Sequence, residues 1–246
     1  MRTFRLAISF LSIFPVYGKR VAGEQEMARS LFYYPLVGFL LGGFLVLAAY
    51  LGERMSLGLA GDVLVVVLWI ILTGGLHLDG VMDTSDGIFS GRDRLRKLEI
   101  MKDSRIGAMG AIALIALLLL KVAFLGLLPY PVKYWVLLSA PALGRAMMTY
   151  PIVFHPYARP QPGLGRSFGD QASRWVFPVA LIIAVGGGYL AGGVKMDIWM
   201  LLTGLLAVLA AIRIRVVLGG HTGDTYGFLC ELTETMFIII AGLAMH

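Results

Sequence analysis

Charge is scarce in this chain. Only 15% of its 246 residues are Asp, Glu, Lys or Arg, where a water-soluble domain of that length would carry about 25%. In place of charge stand a 58% hydrophobic composition and a mean hydropathy of +0.81. These exclude an ordinary soluble globule and imply an integral membrane protein, with one compact domain over 1–246. Cysteine is nearly absent. Cys230 stands alone, so no intrachain disulfide can form and thiol chemistry has no partner residue. The histidines at 77, 155, 221 and 246 lack zinc-ligand spacing. No Walker A sequence and no Gly-x-Ser-x-Gly elbow occurs. No internal repeat is visible, which counts against a transporter built from inverted halves. The net charge of +6 is spread over short loops. That excludes a nucleic-acid patch and fits membrane topology and anionic substrates.

What the chain has in abundance is apolar runs. The first, Leu6 to Phe14, follows Arg2 and Arg5 and stops at Pro15. It looks like a signal peptide, but it is too short to span and no small-x-small cleavage site follows. Residues 1–30 are therefore expected to be a retained interfacial or re-entrant segment on the cytoplasmic side. Longer apolar segments lie at roughly 31–51, 61–79, 108–128, 134–153, 175–193, 197–217 and 226–245, each about long enough to cross a bilayer as helix. Glu231 and Glu234 in the first half of 226–245 leave open whether that segment spans fully. The expected fold is an all-α polytopic bundle of about six to seven transmembrane helices, without a β-sheet. With the amino terminus cytoplasmic, that face collects Arg2, Arg5, Lys19, Arg20, Arg29, Arg92 to Lys97, Lys102, Arg105, Arg159, Arg166, Arg174, Arg213 and Arg215. The other face holds only Arg54, Lys133 and Lys195. This asymmetry supports the orientation in a cell inner membrane and puts the working loops, 80–107 and 154–174, inside.

Three clusters carry chemistry. In Gly75-Leu-His77-Leu-Asp79-Gly-Val-Met-Asp83-Thr-Ser-Asp86-Gly87 the carboxylates are spaced i, i+4, i+7. On a helix they fall within an arc of roughly 60°. Like charges on one face repel, which points to a bound cation, and carboxylate oxygens suit Mg²⁺ or Mn²⁺. A basic amphipathic helix is expected next, over 89–101, with Leu95, Leu98 and Met101 on its apolar side. Lys102-Asp103-Ser104-Arg105 then mixes acids and cations as a metal-bridged diphosphate site would. The second cluster runs from Gly219 to Glu231 through His221, Gly223 and Asp224. Asp224 and Glu231 share a helical face and are candidates for metal or substrate, although Asp224 also reads as the N-cap of the last helix. The third holds Arg145 inside a span, then His155, Tyr157 and Arg159, and a Pro- and Gly-rich stretch at 160–165 suited to a shaped loop over a ligand. Arg145 reads either as a phosphate contact or as the partner of a buried acid. His77 is expected to point away from the Asp face, as a structural group or a general base. Lys121, mid-span among leucines, has no evident partner in the sequence.

Together these clusters resemble the cobalamin synthase family, the adenosylcobinamide-GDP ribazoletransferases. The resemblance rests on Phe10 to Val16, Phe32 to Gly38, Gly74 to Gly87, Glu99 to Gly107 and Gly220 to Asp224. It implies a Mg²⁺-dependent transfer of the adenosylcobinamide phosphate group from adenosylcobinamide-GDP to α-ribazole or α-ribazole 5′-phosphate. The products are adenosylcobalamin or its 5′-phosphate and GMP, in the last assembly step of the nucleotide loop of vitamin B12. The residues suit that reaction. Asp79, Asp83, Asp86, Asp103 and Asp224 are the expected metal ligands; Asp83, Asp86 and Arg105 the expected catalytic groups. His77, Lys102, Arg105, Arg145, Arg159, His221, Gly223, Asp224 and Glu231 are the expected substrate contacts. Membrane lipid, a second copy of the chain or other enzymes of the pathway are the expected partners, and nucleic acid is not. Two other readings compete: a membrane enzyme of the CDP-alcohol phosphotransferase type, whose Asp-Gly-x-x-Ala-Arg signature this chain lacks after Asp86-Gly87, and a divalent-cation transporter.

Overall fold

The structure, a computed structural model, describes residues 1–18, 21–159, 169 and 171–245. The 160–165 stretch, Lys19, Arg20, Arg166 and His246 lie outside the described residues. Ten α-helices are described: α1 (Arg2–Leu11), α2 (Glu24–Ser30), α3 (Tyr34–Arg54), α4 (Leu59–Thr73), α5 (Leu76–Phe89), α6 (Arg94–Ile100), α7 (Ala108–Leu127), α8 (Val132–Phe154), α9 (Val176–Leu218) and α10 (Gly223–Leu243). The only β-type pairing among the described residues is an isolated bridge between Tyr157 and His221. Five helical stretches are long and apolar enough to cross a membrane, and six if the bent pair α4–α5 counts as one. The protein is therefore an all-α membrane bundle, as its composition implies.

Two breaks in helix continuity shape the molecule. After α4, Gly74 and Gly75 both take left-handed backbone, at φ 62° and 69°, which only glycine adopts without strain. Their N–H groups return to the carbonyls of Ile71 and Ile70 at 3.0 and 3.1 Å, closing α4 in a Schellman-type cap. The chain leaves at 92°. The expected span 61–79 thus stops at Thr73, and the Asp triad lies on a second helix, as its spacing implied. The other break is at Gly193, at φ 68° inside α9. A Cβ on Gly188 would lie 2.2 Å from Met200 Sδ, yet in a straight helix twelve residues separate by about 18 Å. The chain therefore folds back at Gly193, and α9 supplies both apolar segments expected at 175–193 and 197–217.

The bundle is held by close backbone approach as well as by side-chain burial. Added Cβ atoms at Gly38 and Gly42 would meet the backbone of Ala142 and Leu138 at 2.4 and 2.3 Å, so α3 and α8 touch along a small-xxx-small seam of the kind membrane helices use. The core around that seam includes Leu41, Leu45, Val136, Leu137 and Leu143, all fully buried. Helix α6 is shorter than the expected 89–101, because Asp93 caps it, accepting from Arg96 N at 3.1 Å. Its apolar side docks on protein. Leu98 and Met101 are buried with Ala158, Ile214 and Leu218, whereas Leu95 is exposed.

Candidate functional site

Helices α5 and α10 build the site by packing backbone to backbone. A Cβ on Gly80 would lie 2.4 Å from the carbonyl oxygen of Asp224, and one on Gly227 would lie 3.1 Å from His77 Cα. Any larger side chain at Gly80 would push the helices apart and separate Asp79 from Asp224. Between them lies a cavity of about 340 Å³, bordered by His77, Asp79, Arg159, Gly223 and Asp224 and walled by Phe10, Tyr34, Met148, Ile152, Tyr157 and Tyr226. Asp224 is not the N-cap of α10. Thr222 is, in a capping box with Thr225, which leaves Asp224 in the first turn, where a carboxylate is favoured by the helix dipole. Asp224 accepts from Arg159 Nη2 at 2.8 Å and from Thr222 Oγ1 at 3.1 Å. Arg159 also donates to the Met101 carbonyl at 3.3 Å, tying the cavity rim to the end of α6.

The Asp triad divides its labour. Asp79 borders the cavity. Asp83 sits among the negative charges of Asp79, Asp224 and Asp86, with Arg159 the opposing cation. Asp86 is committed elsewhere: its Oδ2 and Oδ1 accept from Gly107 N and Gly110 N, each at 2.8 Å. It thereby caps α7 from outside, satisfying N–H groups that α7 cannot satisfy itself. Cβ atoms at Gly107 or Gly110 would run into that carboxylate.

Several expected contacts lie away from the cavity. Asp103 and Arg105 bind each other at 2.6 Å on the surface, and that pairing holds the Asp103 carboxyl down to about 2. Lys102 is exposed beside them. Arg145 and Glu231, expected at the substrate, are placed instead in a buried ion cluster. Lys121 binds Glu231 at 2.6 Å and Glu234 at 2.9 Å, Arg145 pairs with Glu234, and the Lys121 ammonium lies 4.2 Å from the Trp69 ring centroid. Two cations meet two carboxylates with all four side chains at least 97% buried, so the charges are spent on one another. This answers the question of Lys121 and selects the buried-acid reading of Arg145. Glu234 was the residue missed. Its signal was present, since Lys121, Glu231 and Glu234 are the charged residues of the apolar segments 108–128 and 226–245.

His221 is buried behind the cavity. Its ring lies 3.0 Å from His155 Nδ1, 3.0 Å from Thr225 Oγ1 and 3.1 Å from the Ala211 carbonyl. Burial and then His155 push its pKa down to about 3. Burial and then Arg215 lower that of His155. The pair stitches the 155–159 segment to the start of α10, where Ala158 N donates to the His221 carbonyl at 2.7 Å and His221 N to the Pro156 carbonyl at 2.9 Å. His221 therefore positions Arg159 and Asp224 rather than bordering the cavity. The aromatic walls were not singled out as contacts, although Phe10, Tyr34, Tyr157 and Tyr226 all lie within or beside the motifs.

The donor chemistry around Asp79, Asp83 and Asp224 fits a hard divalent cation: carboxylate oxygens crowded together against one guanidinium. Among the described residues no three His, Cys, Asp or Glu side chains are placed to hold a metal ion together. Mg²⁺ characteristically takes one or two carboxylates and completes its shell with water and substrate phosphates, so this open arrangement suits it.

The sequence pattern of the cobalamin-5-phosphate synthase family matches residues 3–242. An adenosylcobinamide-GDP ribazoletransferase of Desulforamulus reducens is 48% identical over 98% of this chain and 96% of its own length. One of Herpetosiphon aurantiacus is 42% identical over 98% and 96%, and one of Pseudomonas putida 39% over 100% and 99%. No solved structure matches. Agreement of this kind from end to end leaves one conclusion: the chain belongs to the cobalamin-5-phosphate synthase family, the adenosylcobinamide-GDP ribazoletransferases.

Proposed function

We propose that this chain joins α-ribazole, or its 5′-phosphate, to adenosylcobinamide-GDP at the cytoplasmic face of the cell inner membrane, in the last assembly step of the cobalamin nucleotide loop. A ribazole hydroxyl attacks the phosphorus that carries the cobinamide. An O–P bond forms, the diphosphate P–O bond breaks, and GMP leaves with the electron pair. The observation that carries this reading is the meeting of Asp79 and Asp224, from two helices, on the rim of one aromatic-walled cavity.

The residues divide as follows. Asp79 and Asp224, with Asp83 beside them, would hold Mg²⁺, and the ion, when bound, would supply charge compensation for the phosphoryl oxygens and the leaving GMP. Arg159, already bridged to Asp224, contacts a nonbridging oxygen. Asp83 takes the proton of the attacking hydroxyl, because both oxygens of Asp86 are engaged with α7. Arg105 and Lys102 form a cationic approach rather than a direct contact. Positioning and electrostatics supply most of the acceleration, as in other phosphoryl transfers. The transporter reading is weakened by the ion cluster: its mid-span acids are each matched by a cation, which leaves no negative stepping stone for a metal ion. The arginine-rich loops support the cytoplasmic orientation.

The test is purified protein supplied with adenosylcobinamide-GDP, α-ribazole and Mg²⁺. GMP release that requires all three is expected. Absence of release, or cation flux in proteoliposomes without it, refutes the proposal.

A further inference from the structure

His77 is 2% exposed and borders the cavity. Its ring is fixed from both sides. Helix α10 presses Gly227 against its backbone, and Arg145 Nη2 stands 3.4 Å from its Nδ1. A guanidinium can only donate. Nδ1 therefore accepts, and the single proton of the neutral ring sits on Nε2. That nitrogen has no hydrogen-bond partner among the described residues. A buried N–H without a partner is costly, and here it belongs to a side chain lining a cavity, held in one tautomer by an arginine that Glu234 holds in turn. The ion cluster thus decides which ring nitrogen carries the donor.

The cavity's size and walls narrow what the donor meets. At about 340 Å³ it is near the lower end for small-molecule sites, roughly 300–1,000 Å³. That volume admits a nucleoside and excludes a corrin macrocycle with its side chains. Its walls include four aromatic rings, from Phe10, Tyr34, Tyr157 and Tyr226, which suit a flat heteroaromatic base. The acids and Arg159 stand at one border.

We infer that this cavity is the acceptor subsite: it takes the heteroaromatic nucleoside, and His77 Nε2–H donates a hydrogen bond to it. The GDP-activated corrinoid stays outside, offering only its diphosphate to the rim. His77 is thereby a donor to the acceptor and not a general base. This assignment rests on the functional reading above and adds to it which substrate the cavity holds.

The experiment measures GMP release by the purified full-length protein while each substrate is varied in turn. Wild-type turnover secures the underlying reading, and its absence would overturn that reading instead. In His77→Phe the KM for α-ribazole is expected to rise about tenfold or more, the loss of one buried hydrogen bond to a ligand, with the KM for adenosylcobinamide-GDP unmoved. His77→Gln, which restores an N–H near the place of Nε2, should recover most of the loss. Equal rises in both KM values, a rise for the corrinoid alone, or a fall in kcat with the acceptor KM unchanged each overturn the inference. Should His77→Phe fail to fold, Tyr157→Ala, on a half-buried loop wall, decides the matter. Equilibrium binding of α-ribazole to that variant without the corrinoid should weaken several-fold, and unchanged binding overturns the assignment.

Discussion

Two groups of charges meet on helix α10, and they are arranged on opposite rules. In the interior, Lys121 and Arg145 meet Glu231 and Glu234 one for one. At the cavity border stand Asp79 and Asp224, with Asp83 and Asp86 close behind and Arg159 as the bonded cation. A balanced set in a low-dielectric interior is structural, because every charge has its counter-charge and nothing is left to bind. An unbalanced set is costly in the resting protein and is tolerated where a ligand supplies the missing sign. The contrast separates scaffold from site more sharply than residue type does, since both groups contain acids and arginines.

The largest expected effect is on turnover at the unbalanced set. Asp83→Asn should lower kcat by roughly a hundredfold or more, the scale of losing a charge aimed at the transition state. The same change removes a like-charge repulsion, so its melting temperature in detergent should hold or rise. Mg²⁺ should stabilise the wild type thermally and stabilise this variant less. A variant that melts early instead would make the acidic border structural and break the comparison. Next comes Lys121→Met, which strands Glu231 and should cost about 3–5 kcal/mol of stability, read as a lowered unfolding midpoint. A normal midpoint with lost activity would reverse the assignment. Asp86 tests the boundary between the two groups. Asp86→Ala should destabilise by about 1–2 kcal/mol through the uncapped α7, and Asp86→Asn by less, since the amide oxygen still accepts.

The histidine stitch gives a smaller effect that depends on pH. Its folded pKa values lie below the ordinary 6.5, His221's at about 3. Between those values the unfolded chain binds more protons than the folded one, so the contribution to stability is present above about pH 6.5 and is lost as pH falls toward 3. Protection against hydrogen exchange in the 155–159 and 219–222 segments, taken relative to the intrinsic rate at each pH, should therefore fall below about pH 6.5. A flat profile would mean that the stitch does not fasten the rim. Smallest of all is Glu99→Gln. Its partner Arg96 is 2.7 Å away on an exposed face, and such pairs contribute about 0–1 kcal/mol, so activity and melting should both stay near wild type.

The spans were legible because bilayer thickness demands long apolar runs, and the seven read from sequence correspond to α3, α4, the two legs of α9, and α7, α8 and α10. The Asp79–Asp83–Asp86 helix was legible from its spacing. The bend before it was not, because two glycines allow a right angle without declaring one. Nor could spacing separate Asp86 from Asp83: both occupy the same helical face, and only the arrival of Gly107 and Gly110 distinguishes them. Asp224 and Glu231 show the same limit. Seven residues apart on one face, they lie about 10 Å apart along the axis, far enough for one to border a cavity and the other to sit in the core. His77 was expected to point away from the acids, yet it borders the same cavity as Asp79, because a pocket curves around a helix.

The right-angle turn at Gly74–Gly75 also bears on why a water-loving macrocycle should be finished by an oily protein. If α4 stands upright in the bilayer, α5 runs flat beneath it like the crossbar of a T. Cargo too large and too hydrated to enter the lipid can then slide in sideways and present its phosphates from the aqueous compartment. The membrane on this view holds the workbench steady, and the workpiece never has to leave water.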